Sequence, residues 1–142
     1  MTVLAIESQY ARLSALVKMS DTPEKFEFHT DLVTAHEAGT PTYTLGTVLG
    51  KITASGKYIV SVQTAVDGSQ VPAAIYIGNS FGSINDVTLV ATTDTTVLAI
   101  TRGKIMVSAQ ALKLDASFTA GALTTGAYAS LAVQGILVQQ SN

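Results

Sequence analysis

The sequence contains no cysteine and no tryptophan, and only 13% of its 142 residues are charged. Each shortage excludes something. Without cysteine there is neither a disulfide framework nor a thiolate metal site. Eight basic residues against ten acidic ones leave a net charge of -2, with no basic stripe to follow a phosphate backbone. Nucleic acid is therefore not an expected partner. No run of about 20 uninterrupted apolar residues occurs, so a membrane is not expected as a partner either. Met1 to Met19 is apolar but lacks a basic start and carries Glu7, Arg12 and Lys18, a poor match to a signal peptide. An intracellular origin fits these features.

What remains is small and aliphatic. Hydrophobic residues make up 47% of the chain and aromatics 6%, so Ala, Val, Ile and Leu dominate, mixed with many Thr and Ser. Such residues suit β-strands and close packing. The length suffices for one domain with a real core, and this hydrophobic content excludes global disorder. An average soluble domain has a charged share of about 25%, so the exterior here is mostly neutral. Such a surface is poorly soluble when free. Either other subunits cover it, or it is the Thr/Ser coat of a β-rich protein.

Residues 1–25 form a separate segment, an N-terminal arm. Leu4, Ala11, Ala15 and Lys18 fall at spacings of four or seven, and Leu13, Leu16, Val17 and Met19 thicken that side. The spacing predicts a short amphipathic helix, broken by Ser20 to Lys25 around Pro23. The arm either orders on a partner, packs on its own domain, or frays.

A β-rich domain, residues 26–142, follows. Phe26 and Phe28 alternate with Lys25, Glu27 and His29 in a half-buried strand, and Asp31 to Pro41 reads as a loop. Thr42 to Leu49 is β-prone, and Gly50 to Gly56 reads as a β-turn-β segment. Tyr58 to Val66 alternates as a strand, Asp67-Gly68 turns, and Val71 to Ile77 returns with Pro72 at its start. Gly78 to Ser83 reads as a loop. Strands follow over Val87 to Ala91, Thr95 to Thr101 and Ile105 to Val107, with a turn at Thr101 to Lys104. Ser108 to Leu114 reads as a helical turn and Asp115 to Thr125 as a loop. A helix over Tyr128 to Val133 ends at Gly135, before a last strand, Ile136 to Val138. The class is mainly β with minor α.

No chemistry emerges from the motifs. A metal site could be drawn from His29, Asp31, His36 and Glu37, but the His36-Glu37 pair lacks the second histidine four residues on that a helical zinc site needs. Gly78-Asn-Ser80-Phe-Gly82 has the spacing of a nucleophile elbow, yet no histidine follows Ser80 and β-prone residues stand where a helix should be. Gly46 to Lys51 is too short for a phosphate loop, and Ile52 stands where Ser or Thr would bind magnesium. Neither a catalytic residue nor a cofactor is expected, and the chain does not read as an enzyme.

One ordered set of segments is familiar. Leu45-Gly46-Thr47-Val48-Leu49-Gly50-Lys51-Ile52-Thr53, Gly56-Lys57-Tyr58, Asp67-Gly68-Ser69-Gln70 and Ala73-Ala74-Ile75 resemble the bacteriophage lambda-type head decoration proteins. Thr101-Arg102-Gly103 is similar to that family's Arg-Gly turn, and Leu131 to Val138 to its Gln-Gly-Ile ending. The glycines Gly46, Gly50, Gly56, Gly68, Gly103 and Gly135, with Asp67, serve as turn residues in this reading. Departures are the long N-terminus, Ala74 directly before Ile75, and a loop at Gly78 to Asp86 that looks inserted.

The resemblance implies a compact, β-clip-like single domain. It implies a homotrimer at threefold sites on the outside of a phage head, cementing the lattice of the major capsid protein. It places the protein on the virion exterior after synthesis in the host cytoplasm. The family's N-terminal segment contacts the capsid, which makes Leu4, Leu13, Leu16, Val17, Met19, Phe26 and Phe28 the contact candidates. Removal of residues 1–20 is then expected to abolish capsid binding and leave the domain folded. The competing readings are another virion part, such as a tail-tube or fibre-associated β domain, and a small ligand-binding or hydrolase domain with a polar pocket.

Overall fold

A computed structural model describes residues 16–20, 29–81, 83–103, 105–118 and 121–139. In chain order these hold β1 (Val17–Ser20), β2 (His29–His36), β3 (Thr42–Tyr43), β4 (Val48–Lys51), β5 (Tyr58–Val60) and β6 (Pro72–Asn79). There follow β7 (Val87–Thr88), β8 (Asp94–Arg102), β9 (Ile105–Ser108), the helix α1 (Ala122–Val133) and β10 (Ile136–Gln139). Five strands close a barrel in the order β2-β5-β4-β6-β8. A second sheet, β1-β9-β10, has β1 antiparallel and β10 parallel to β9, with α1 in the crossover. The short β3-β7 pair is separate.

Period-two alternation assigns the side chains of β6 and β8 to two cores. Ala74, Tyr76, Val97 and Ala99 join Val33, Ala35, Tyr43, Leu49 and Leu89 inside the barrel. Ile75, Ile77 and Ile100 face the other way and pack with Leu16, Ile105, Val107, Leu131 and Ile136. A strand buried on both faces shows a continuous apolar run, which is why Ala73 to Ile77 has no polar break. The shared wall is registered by Ile75↔Ile100 and Tyr76↔Ala99, with a shift between Tyr76 and Gly78.

Several sequence expectations change. Residues 31–36 belong to β2, because β8 supplies a ladder from His29↔Arg102 to His36↔Asp94. The strand expected over Tyr58 to Val66 stops at Val60. There the Ser61 hydroxyl turns inward to donate to the Ser69 carbonyl at 2.7 Å, and Ala65 N–H donates to Val62 in a turn. Asp67-Gly68 is a turn but not a hairpin, since β4 lies between β5 and β6. The helical turn expected at Ser108 to Leu114 is a plain turn, because Lys113 is drawn into a bridge with Thr47. Helix α1 starts at Ala122, inside the expected loop.

The arm needs a larger correction. Residues 17–20 form a strand that takes in Val17 to Met19 of the expected helix, and pair with β9 through Val17↔Val107, Met19↔Met106 and Ser20↔Ile105; Leu16 is helical, and the rest of the expected helix, residues 1–15, lies outside the described residues. Leu16 is fully enclosed in the second core. The domain body therefore includes part of what the sequence assigns to the arm. Leu4, Leu13, Phe26 and Phe28 lie outside the described residues.

Two glycines are required, one by proximity alone and one by proximity and a positive φ together. Gly50 is needed by proximity: a Cβ there would stand 2.0 Å from the Ser69 carbonyl oxygen. Gly135 follows the C-cap Gln134 of α1 at φ +87°, and a Cβ there would stand 2.1 Å from the Gly103 carbonyl oxygen. Gly135→Ala is therefore expected to lower stability by about 2 kcal/mol or more. Gly126, inside α1, has nothing within 4 Å of a built Cβ. Gly126→Ala is expected to raise stability by about 0.5–1 kcal/mol. Urea unfolding of both variants beside the wild type checks the two signs.

Candidate assembly surface

The polar groups of the barrel are tied to one another. Tyr43, fully buried, donates its hydroxyl to Glu37 Oε1 at 2.6 Å, and Val60 N–H donates to the same oxygen at 2.6 Å. Burial, then the Glu37 contact, pushes the Tyr43 phenol far above its ordinary range. Tyr43 and Tyr76 meet edge to face at 5.5 Å, and the Tyr76 hydroxyl donates to the Asn85 carbonyl. On the outside, Asp94 Oδ1 accepts from Lys57 Nζ at 2.9 Å and pairs with His36 Nδ1 at 2.6 Å, joining β8 to β2 and to the approach of β5. Thr101 Oγ1 donates to Asp31 Oδ2 at 2.5 Å. These contacts lace strands together and do not converge on a substrate-sized space.

Ser80 stands on the turn after β6, and the chain continues to β7 without a helix. The nucleophile-elbow spacing around it therefore lacks the strand-turn-helix context of that motif. Among the described residues, no group of three or more His, Cys, Asp and Glu side chains gathers to hold a metal. No described helix is long and apolar enough to cross a membrane.

The surface itself is the notable feature. Helix α1, ALTTGAYASLAV, carries no charged residue, yet only Ala127 and Leu131 are buried. Val133 is 89% exposed, and Leu123 also reaches solvent. β10 is an edge strand whose Leu137 is half exposed. Phe81 is 91% exposed at the tip of the loop after β6. A hollow of about 180 Å³ opens between α1 and the start of β6. A helix that buries only the narrow Ala127–Leu131 stripe and carries no charge on its exposed face is suited to being covered.

The structure scatters the expected contact residues. Leu16 serves the core. Val17 and Met19 lie on β1, the edge strand opposite β10. Of the turn residues, Gly46 precedes β4, Gly56 closes the turn between β4 and β5 by donating to the Ile52 carbonyl, and Gly103 separates β8 from β9. Asp67 Oδ1 accepts from both the backbone and the hydroxyl of Ser69, at 3.0 and 2.5 Å, which fixes the turn containing Gly68. Phe81, Leu123 and the α1 face escape sequence reasoning. For α1 the signal was present, since the sequence has no charged residue after Asp115.

The family model of the bacteriophage lambda head decoration protein D matches residues 19–136. No curated protein and no solved structure matches the chain.

Acid is expected to loosen the fold through identified carboxylates. The Ser69 hydroxyl, then its backbone N–H, holds the Asp67 carboxyl below its ordinary value. Lys57, then His36, does the same for Asp94. A carboxyl more acidic in the folded chain stabilises it fully above its unfolded value of about 4, and that contribution fades as pH falls through the folded value. Melting temperature should therefore drop from about pH 5 to pH 3. Asp67→Ala should melt lower at neutral pH and show a shallower acid drop, read by circular dichroism.

Proposed function

We propose a role for this chain from one established fact: it belongs to the bacteriophage lambda head decoration protein D family. It is a phage head decoration protein of the virion exterior. The finer reading is that it binds the outer face of the head as a homotrimer at threefold sites and cements neighbouring major capsid subunits. The match over residues 19–136 carries this reading. The uncharged, exposed α1 supports it, because such a face suits a protein that works covered by others.

The mechanism is thermodynamic. A protein that binds the assembled shell and not its dissociated subunits stabilises the shell by mass action, by about 2.7 kcal/mol per site at a hundred times the dissociation constant. Three linked copies turn weak single contacts into avid attachment. Purified chain added to expanded, undecorated cognate shells should saturate them and raise their disruption temperature with concentration. Failure to bind at any concentration would sink the reading.

The segment ahead of Leu16, with Leu4 and Leu13, is the capsid contact in this proposal, joined by Val17, Met19, Phe26 and Phe28. Its attachment point makes truncation informative. Removing residues 1–14 keeps Leu16 and β1, so melting of the free chain should be unchanged while shell binding falls. Removing residues 1–20 takes away a buried leucine and a paired strand, and should cost about 3 kcal/mol or more. Full shell occupancy by the shorter truncation would show that the contact lies elsewhere.

A further inference from the structure

We propose that Asp67-Gly68 is a site of spontaneous aspartate isomerisation, held closed in the folded chain by Ser69 and Gln70. Asp67 is the one aspartate in the sequence followed by glycine, and no asparagine is. Glycine leaves its own nitrogen unshielded by a side chain. That nitrogen can attack Cγ of the Asp67 carboxyl. The N–Cγ bond forms and a Cγ–O bond breaks; the oxygen leaves as water with the carboxyl proton and the amide proton. The five-membered succinimide then takes up one water. Where water adds at the main-chain carbonyl, the bond from that carbon to the Gly68 nitrogen breaks, and the chain continues through Cγ as isoaspartate. Only water is consumed and returned, and the main chain gains one methylene.

The fold cannot avoid the pair. Gly68 has φ +104°, and a Cβ there would stand 2.1 Å from Thr53 Oγ1 and 3.0 Å from the Lys51 carbonyl oxygen. Asp67 is equally needed, as the acceptor that fixes Ser69. The fold instead engages both reacting groups. Asp67 Oδ1 accepts from the Ser69 N–H at 3.0 Å and from its hydroxyl at 2.5 Å, which hold the carboxyl on Ser69. The same contacts keep it ionised, and a carboxylate is a poorer electrophile than a carboxylic acid. Gly68 N–H donates to Gln70 Oε1 at 2.9 Å. An amide oxygen is too weak a base to take the proton that attack must release.

The clamps are themselves anchored. Ser69 is fully buried, and its carbonyl accepts from the Ser61 hydroxyl at 2.7 Å. The Asp67 carbonyl accepts from Thr53 N–H at 2.9 Å and the Gly68 carbonyl from Val71 N–H at 3.2 Å. Ring closure needs rotation at Asp67, so it waits until these bonds open. The extra methylene would part Thr53 and Val71 from their acceptors. Isomerisation is thus confined to chains that open here, and a chain once modified cannot re-form the turn.

The test ages the full chain for weeks at neutral pH, well below its melting temperature. Isoaspartate at position 67 is read by enzymatic methylation and peptide mapping. Folded wild type should accumulate it more slowly than the same chain in urea, by about tenfold or more. Ser69→Ala and Gln70→Ala, each removing one clamp, should raise the folded rate by about threefold or more. Gln70 is only half-buried, so its variant reads the clamp even if Ser69→Ala does not fold. Gly135→Ala lowers stability elsewhere and leaves both clamps in place, so while folded it should age like wild type. Wild type ageing as fast folded as in urea, a folded clamp variant ageing like Gly135→Ala, or isoaspartate forming in urea at another aspartate before Asp67 would each overturn the proposal. Shell binding plays no part in this readout, so it and the decoration reading fail independently.

Discussion

The structure depends on one double-sided contact, the packing of the β6-β8 wall between two cores. Tyr76 and Val97 fill the barrel while Ile75, Ile77 and Ile100 hold the sheet and helix to its outside. Neither core has a wall without these two strands. This constraint explains why β6 carries no charge from Pro72 to Asn79. It also explains why the polar groups that are buried, such as the Tyr43 hydroxyl and Ser61, sit beside the wall with assigned partners. Inside the wall the polar tip on β6, the Tyr76 hydroxyl, is likewise satisfied, donating to the Asn85 carbonyl.

Much of this was legible where one local rule acted alone. The continuous run at Ala73 to Ile77, the turn at Gly103 and the strand after Gly135 follow from hydrophobicity and glycine placement. What was not legible came from partners distant in sequence. Asp31 to His36 looks like a loop because its polar residues find support only in β8. Tyr58 to Val66 alternates like a strand throughout, yet the Ser61 hydroxyl and the Ser69 carbonyl end the ladder. Val17 to Met19 looks helical by spacing, and becomes part of a strand because β9 offers an edge. In each case a tertiary hydrogen-bonding partner decides between two locally acceptable conformations.

The candidate surface was half legible. The shortage of charge pointed to a covered exterior without saying which part. The structure locates the deficit on α1, β10 and the loop tip at Phe81, while charged residues cluster as structural ties such as Lys57-Asp94-His36. The contact residues chosen for their apolar spacing divide differently: Leu16 belongs to the core, and β1 begins the paired body. The same leucine that makes a plausible docking residue in sequence is needed to seal the second core. Sequence spacing identifies an apolar side chain that must be buried, and cannot say whether its own chain or another does the burying.

The pairing of β1 with β9 also sets a schedule. Val17 meets Val107, about 90 residues later, and His29 meets Arg102. The first strands to leave the ribosome thus wait for nearly the last ones, and loop-closure entropy is paid before most native contacts exist. The domain cannot mature segment by segment during synthesis. It closes in one late step, so a nascent or truncated chain exposes the apolar β6 run until its C-terminal third is present.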